Sequence, residues 1–283
     1  MQQTRPHSKS KSSPKPLSKR SSAEPSLSAL RTTAIEASYA AGKILKKFFG
    51  GRLKVAEKKN AGLVTNADLA AESAAVRVLS KSYPEFGFLT EESQPILSDS
   101  PGRWILDPLD GTTNFVHGFP MFCVSLAAEW RGKIVVGVIY HPLLDHTYVG
   151  TLGQGATLNG RKIKVSQTRK ISESLLTTGF AYNRGASLHR EIEVFATLNQ
   201  QARAVRRPGS AALDLAYTAQ GVFDGFWERN LSPWDVAAGS LILTEAGGKI
   251  SDFQGNPFEL TQREVLASNG ALHSKLSSLV SKE

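Results

Sequence analysis

The chemistry available to this chain is concentrated in three acidic segments. In Trp104-Ile-Leu-Asp-Pro-Leu-Asp-Gly-Thr-Thr-Asn-Phe115 an apolar run ends on Asp107, Pro108 stiffens the turn, and Asp110 follows three residues later. Two carboxylates on one rigid turn can hold the same or adjacent hard cations, and a carbonyl between them, such as that of Leu109, can complete an oxygen shell. Gly111 permits a tight backbone, and a helix beginning near Thr112 would aim its N–H groups at the same place, which suits a phosphate. Taken alone, Asp-x-x-Asp-Gly also reads as an ordinary turn. Glu91-Glu92-Ser93 puts further carboxylates at the end of a strand-like run, and Pro233-Trp234-Asp235 puts Asp235 at a helix start. For Asp235, and for Asp68 near another helix start, a capping role competes with a chemical one. Lys58, ten residues before Asp68 in a polar stretch, reads by itself as solvated.

Helices and short strands must deliver these residues. Leu30, Ala34, Ala37, Ala41, Ile44, Leu45 and Phe48 recur at helical spacing, and Gly50-Gly51 supplies a stop. A second helix is expected over 67–81, with Thr65 or Asn66 as its cap. Residues 86–89 and 104–106 read as strands, and 123–130 and 134–140 as an antiparallel hairpin across Arg131-Gly132-Lys133. A third strand is expected at 147–151. In the second half, strands are expected at 174–180, 203–207, 223–227 and 265–268. Helices are expected at 188–201, 211–220, 236–246 and from about 271. Hairpins mixed with helices, without regular βαβ alternation, imply an α+β or layered α-β-α class rather than a Rossmann sheet.

Taken together these segments resemble the inositol monophosphatase family. The likeness rests on Trp104 through Phe115 with Val116-His117 after it, on Leu89-Thr-Glu-Glu-Ser93 and on Pro233-Trp-Asp-Val-Ala-Ala-Gly239. Ala61-Gly-Leu-Val-Thr-Asn-Ala-Asp68 and Arg207-Pro-Gly-Ser-Ala-Ala-Leu-Asp214 extend it, so that it covers about residues 27–280. The resemblance implies a layered α-β-α-β-α sandwich, usually a homodimer, requiring Mg²⁺ and often sensitive to Li⁺. Carried over by position, it implies Glu91, Asp107 and the Leu109 carbonyl as ligands of one metal, and Asp107, Asp110 and Asp235 as ligands of a second. It implies that Thr112 pairs with Glu91 to activate the attacking water, and that Asp68 organises the site. It further implies that Gly111, Thr112 and Thr113 contact phosphate, and that Glu228, with Gly209, Ser210, Ala211 and Asp235, contacts the rest of the substrate. The family's loop lysine corresponds to Lys58 or Lys59.

That chemistry is self-consistent. A phosphate monoester is a dianion, so catalysis must shield its charge and orient water for in-line attack, which two Mg²⁺ ions can do. The expected substrate is a small phosphorylated polyol or sugar, myo-inositol monophosphate first. Histidinol phosphate, fructose 1,6-bisphosphate, NADP and 3′-phosphoadenosine nucleotides are the alternatives that share the same metal shell. Competing motifs fail: Gly153-Gln-Gly155 begins like a dinucleotide loop, but Leu158 stands where the third glycine belongs. Neither a P-loop lysine motif nor a Gly-x-Ser-x-Gly elbow is present.

Composition sets the outer bounds. The 283 residues are 41% hydrophobic and 21% charged, enough for one large domain or two packed halves. No stretch has the roughly 20 apolar residues of a membrane span, and the basic N-terminus lacks the apolar segment of a secretory signal. The single cysteine, Cys123, leaves no internal disulfide and fits a reducing, cytoplasmic setting. Of the formal net charge of +9, residues 1–26 carry +5. That Ser/Lys/Pro-rich segment has Leu17 as its one large aliphatic residue and is expected to be a disordered tail before a catalytic domain at 27–283. A nucleic-acid-binding arm is the other reading of the tail, with salt-dependent contacts to phosphates, although it lacks aromatics for base stacking.

Overall fold

A computed structural model describes residues 24–58, 62–180 and 187–281; most of the N-terminal segment, and Lys59, lie outside the described residues. Two helices form the first layer: α1 (Leu27–Phe48) and α2 (Asn66–Ser82). Leu30, Ala34, Ala37, Ala41 and Leu45 of α1 are buried, as are Ala67, Ala71, Ala75 and Leu79 of α2, so each helix turns one stripe inward at the expected spacing. Both stripes pack on a seven-stranded sheet. Its strands, in spatial order, are β3 (Gly87–Thr90), β4 (Gly102–Asp110), β5 (Cys123–Trp130), β6 (Lys133–His141), β7 (His146–Thr151), β8 (Gly155–Leu158) and β9 (Arg161–Lys162).

The opposite face of that sheet carries the middle helices, α5 (Ala211–Gln220) and α6 (Pro233–Glu245). Beyond them lies a five-stranded sheet of β11 (Ala204–Arg206), β10 (Leu175–Thr178), β12 (Gly225–Arg229), β14 (Glu264–Ser268) and β13 (Lys249–Ser251), in that order. The last layer is α4 (Ser187–Gln201) with α7 (His273–Val280). The five layers are therefore α-β-α-β-α, as the resemblance implies. Between β4 and β5 stands a five-residue helix, α3 (Thr112–Val116).

Three local expectations change. Lys58 is not in a loop: it ends β1 (Val55–Lys58), which pairs antiparallel with β2 (Gly62–Thr65). Strand β1 is mostly exposed and β2 mostly half-buried, so the ribbon shows none of the in-out alternation by which strands are recognised. The strand expected at 104–106 runs on through Pro108 to Asp110. The strands β8, β9 and β13 are short and carry little apolar signal. Among the described residues, no helix is long and apolar enough to cross a membrane.

Two buried histidines are expected to weaken the fold in acid. His141 and His273 are 0% and 2% exposed. The ring nitrogens of His273 lie 2.8 Å from Ser251 Oγ and 2.9 Å from Ser268 Oγ. Burial, with the neighbouring His146 for one and the Lys249 charge for the other, pushes both down to about 4. A folded pKa below the unfolded ~6.5 means that their contribution is complete above pH 6.5 and is lost as pH falls toward 4. Each is worth on the order of 2 kcal/mol across that window. Urea unfolding of wild type and His141→Phe should show the variant gaining on wild type between pH 7 and pH 5, a difference that reports this histidine together with its interaction with His146. A constant difference across that range would contradict the assignment.

Candidate active site

The pairing of β3 with β4 sets the first two carboxylates side by side. The strands are parallel, with Thr90 opposite Leu106, and the Glu91 N–H donates to the Leu106 carbonyl at 3.2 Å. Glu91 therefore leaves β3 beside Asp107. On the other edge of β4, Asp107 pairs with Ser125 and Asp110 with Cys123, three residues on β4 against two on β5. In a regular strand residues i and i+3 face opposite ways; one extra residue restores the parity and brings Asp107 and Asp110 to the same face. Pro108, which has no N–H to give the ladder, is tolerated at such a bulge. The Asp107 carboxylate also accepts the Leu109 N–H at 2.8 Å.

Asp235 arrives from the middle layer. It is the third residue of α6, and its carboxylate accepts the Ser232 N–H at 2.7 Å in a capping box. Ser125, the β5 partner of Asp107, donates its hydroxyl to the Trp234 carbonyl at 3.0 Å and so fixes this helix start over the bulge. Asp68 has the same place in α2, where its Oδ2 accepts from the N–H and hydroxyl of Thr65 at 2.9 and 2.6 Å. Capping and site geometry are thus one arrangement for both aspartates. Gly111, at φ 96°, turns the chain sharply into α3; a Cβ there would stand 2.7 Å from the Met121 carbonyl.

Eight of the sequence-derived residues line one cavity of about 370 Å³: Glu91, Asp107, Leu109, Asp110, Gly111, Thr112, Glu228 and Asp235. Thr113, Gly209 and Ala211 line an adjoining cavity of about 520 Å³ that shares Asp110, Glu228 and Asp235 with the first. Two expected residues stand behind the wall instead. Ser210 is buried as the N-cap of α5 and donates to Asp110 Oδ2 at 2.6 Å, beside the Ala212 N–H at 2.7 Å. Asp68 is buried and accepts from the Thr112 hydroxyl at 3.1 Å, while Thr112 also lies 3.0 Å from the Leu109 carbonyl. Glu91 takes Lys58 Nζ at 2.7 Å, and Lys58 also reaches Glu92 at 2.6 Å, so Lys58 is an ion-paired residue rather than a solvated one.

The comparisons with known proteins agree along nearly the whole chain. Residues 26–283 match the inositol monophosphatase family. The chain belongs to that family. It is 42% identical over 246 residues to an inositol-1-monophosphatase of Synechocystis, covering 86% of each chain. It is 40% identical over 237 residues to the Nus factor SuhB of Pasteurella multocida, covering 83% of this chain and 89% of that one. The crystal structure of the extragenic suppressor protein suhB of Bartonella henselae superposes with a TM-score of 0.87 at 40% identity, over 90% of this chain and 99% of that one. As a member of the family the chain is a phosphatase acting on phosphate monoesters.

The electrostatics of the phosphatase wall bear on a metal. Burial lifts Asp107 well above the ordinary carboxylate range, and the charges of Glu91, Asp110 and Asp235 add to it. Burial lifts Asp110 to about 6 against the opposing bonds from Ser210 and Ala212, and burial with the Asp110 charge lifts Asp235. These carboxylates are under-compensated by the chain itself, and their hard oxygen donors fit Mg²⁺. Among the described residues no three His, Cys, Asp or Glu side chains converge on one point. The Leu109, Ala212 and Ser232 N–H groups and the Ser210 hydroxyl each bond to one oxygen of Asp107, Asp110 or Asp235.

Several working residues carry no signal in the sequence. Glu72 of α2 accepts the Glu92 N–H at 3.0 Å and the Ser93 hydroxyl, clamping the segment that bears Glu91. Asn114 donates to the Met121, Pro208 and Gly209 carbonyls, at 2.7, 2.8 and 3.3 Å, and ties α3 to the start of α5. Phe180 lines both cavities, with the Arg207 guanidinium 5.9 Å from its ring centre. Each is fixed by long-range packing, which spacing along the chain does not encode.

Proposed function

We propose that this phosphatase hydrolyses the phosphate monoester of a small polyol, myo-inositol monophosphate first, with Mg²⁺ as cofactor and as a homodimer. The observation that carries the reading is one cavity lined by Glu91, Asp107, Asp110 and Asp235 together with Glu228. Mg²⁺ held by Glu91, Asp107, the Leu109 carbonyl, Asp110 and Asp235 would shield the phosphate dianion and the charge developing on the leaving oxygen. The chain's own residues do the rest. Gly111, Thr112 and Thr113, at the turn into α3, position the phosphate. Glu91 accepts the proton of the attacking water, while Thr112, held by Asp68 and the Leu109 carbonyl, orients that water. Glu228 accepts hydrogen bonds from the hydroxyls of the leaving alcohol.

Residues 27–283 carry this activity, and residues 1–26 form a separate basic segment. A second reading gives that segment an added role, an arm for nucleic acid or a transcription complex, which its charge of +5 favours. One experiment addresses both. Steady-state turnover is measured for inositol, histidinol, fructose 1,6-bis- and 3′-phosphoadenosine phosphates, with EDTA and with Mg²⁺, for the full chain and for a chain lacking residues 1–25. The highest kcat/KM is expected on inositol monophosphate, dependent on Mg²⁺ and nearly equal for the two chains. Turnover in EDTA, or a better rate on another ester, would overturn the metal or the substrate respectively. RNA binding by the full chain alone, falling steeply with salt, would establish the arm.

A further inference from the structure

We infer that Gly179 is a positioning residue for Glu228: the side chain it lacks leaves the space in which the Glu228 carboxylate is held toward the substrate. The role of Glu228 in substrate recognition is the one proposed above, and the inference rests on it. Strand β10 runs parallel to β12, with Thr178 opposite Trp227, so Gly179 follows β10 at the level of Glu228. A Cβ built on Gly179 would stand 2.2 Å from both carboxylate oxygens of Glu228 and 2.3 Å from its Cδ. That is more than 1 Å inside the roughly 3.5 Å separation at which such atoms are comfortable.

The glycine is not there for its backbone. Gly179 is absent from the residues with positive φ, so alanine could adopt its conformation, and what a side chain lacks is room. Neither strand can step back to provide it. The Thr178 hydroxyl donates to the Trp227 carbonyl at 2.6 Å and ties the end of β10 to β12. On its far side β12 is paired to β14, with Glu228 opposite Val265. A methyl group at 179 must therefore displace the Glu228 side chain itself. Glu228 and Gly179 both line the larger cavity, together with Phe180 and Arg207, so the displacement changes the surface a leaving group meets.

The test is a double-mutant cycle on the full-length protein with two readouts. In thermal unfolding, Gly179→Ala should lower Tm in the wild-type background. In a Glu228→Ala background it should raise Tm slightly, because Ala reduces the freedom of the unfolded chain and no longer meets a carboxylate. In turnover, Gly179→Ala should lower kcat/KM for inositol monophosphate at least tenfold more than for an aryl phosphate, mainly through KM, the size expected for losing one charge-assisted hydrogen bond. Adding Glu228→Asp, one methylene shorter, should recover part of that loss. An equal change in Tm in both backgrounds overturns the inference, and so does intact selectivity in Gly179→Ala when Glu228→Ala has lost it. If Glu228→Ala itself keeps its selectivity, the proposed polyol contact fails, while the Tm cycle still decides whether the glycine makes room for the carboxylate.

Discussion

Asp107→Asn is expected to remove Mg²⁺-dependent turnover, by roughly a thousandfold or more, about 4 kcal/mol of transition-state stabilisation. Asparagine keeps the volume of the side chain and an oxygen for the Leu109 N–H, so the bulge in β4 survives. It removes a negative charge on which the charges of Glu91, Asp110 and Asp235 all act. The sign for stability is opposite to that for activity. Because burial and these neighbours lift the folded pKa of Asp107 above its unfolded value, its contribution is present below the unfolded pKa and is lost as pH rises through the folded one. Near neutrality in EDTA the variant should therefore unfold at the same Tm as wild type or higher. Adding Mg²⁺ should raise the Tm of wild type and leave the variant nearly unmoved, since only a site that binds the ion gains from mass action. Asp235→Asn should behave alike. A purified, folded Asp107→Asn protein that turns over at the wild-type rate, or that Mg²⁺ stabilises as much as wild type, would contradict the proposed metal wall.

The parts of this site that lie within one strand or one helix start were legible in the sequence. Asp107 and Asp110 share a turn-forming motif, and Asp235 and Asp68 each stand three residues inside a helix whose cap is a Ser or Thr. The long helices and the β5–β6 hairpin carry strong apolar periodicity and appear within a few residues of their expected bounds. What the spacing does not carry is pairing between distant segments. Glu91 reaches Asp107 because β3 lies parallel to β4 in one register, and a slip of one residue would turn its side chain away. The resemblance implies Ser210 as a substrate contact, yet its hydroxyl goes to Asp110, 100 positions earlier, because α5 begins against the bulge. Lys58 reads as solvated because its partners, Glu91 and Glu92, are 33 and 34 positions away. Gly179 offers no motif at all; only the built fold places a carboxylate where its side chain would be.

Glu228→Ala is expected to lower kcat/KM for inositol monophosphate by roughly ten- to a hundredfold and to leave an aryl phosphate much less affected. The residue is on β12, half-buried, and lines both cavities together with Asp110 and Asp235. Burial lifts its carboxyl to about 8, with the Asp110 charge adding and the Arg207 guanidinium opposing. An assay at pH 8.5 to 9 therefore holds it largely as the carboxylate, which accepts bonds from substrate hydroxyls worth roughly 1.5–3 kcal/mol each. An aryl leaving group offers no hydroxyl and should lose little. Metal binding should survive, because Glu228 is outside the proposed ligand set, and Mg²⁺ should still raise the Tm of the variant. Comparing the two substrates at saturating Mg²⁺ separates the outcomes. Equal losses on both would make Glu228 a support of the wall. No loss on either would move the polyol pocket elsewhere along the larger cavity.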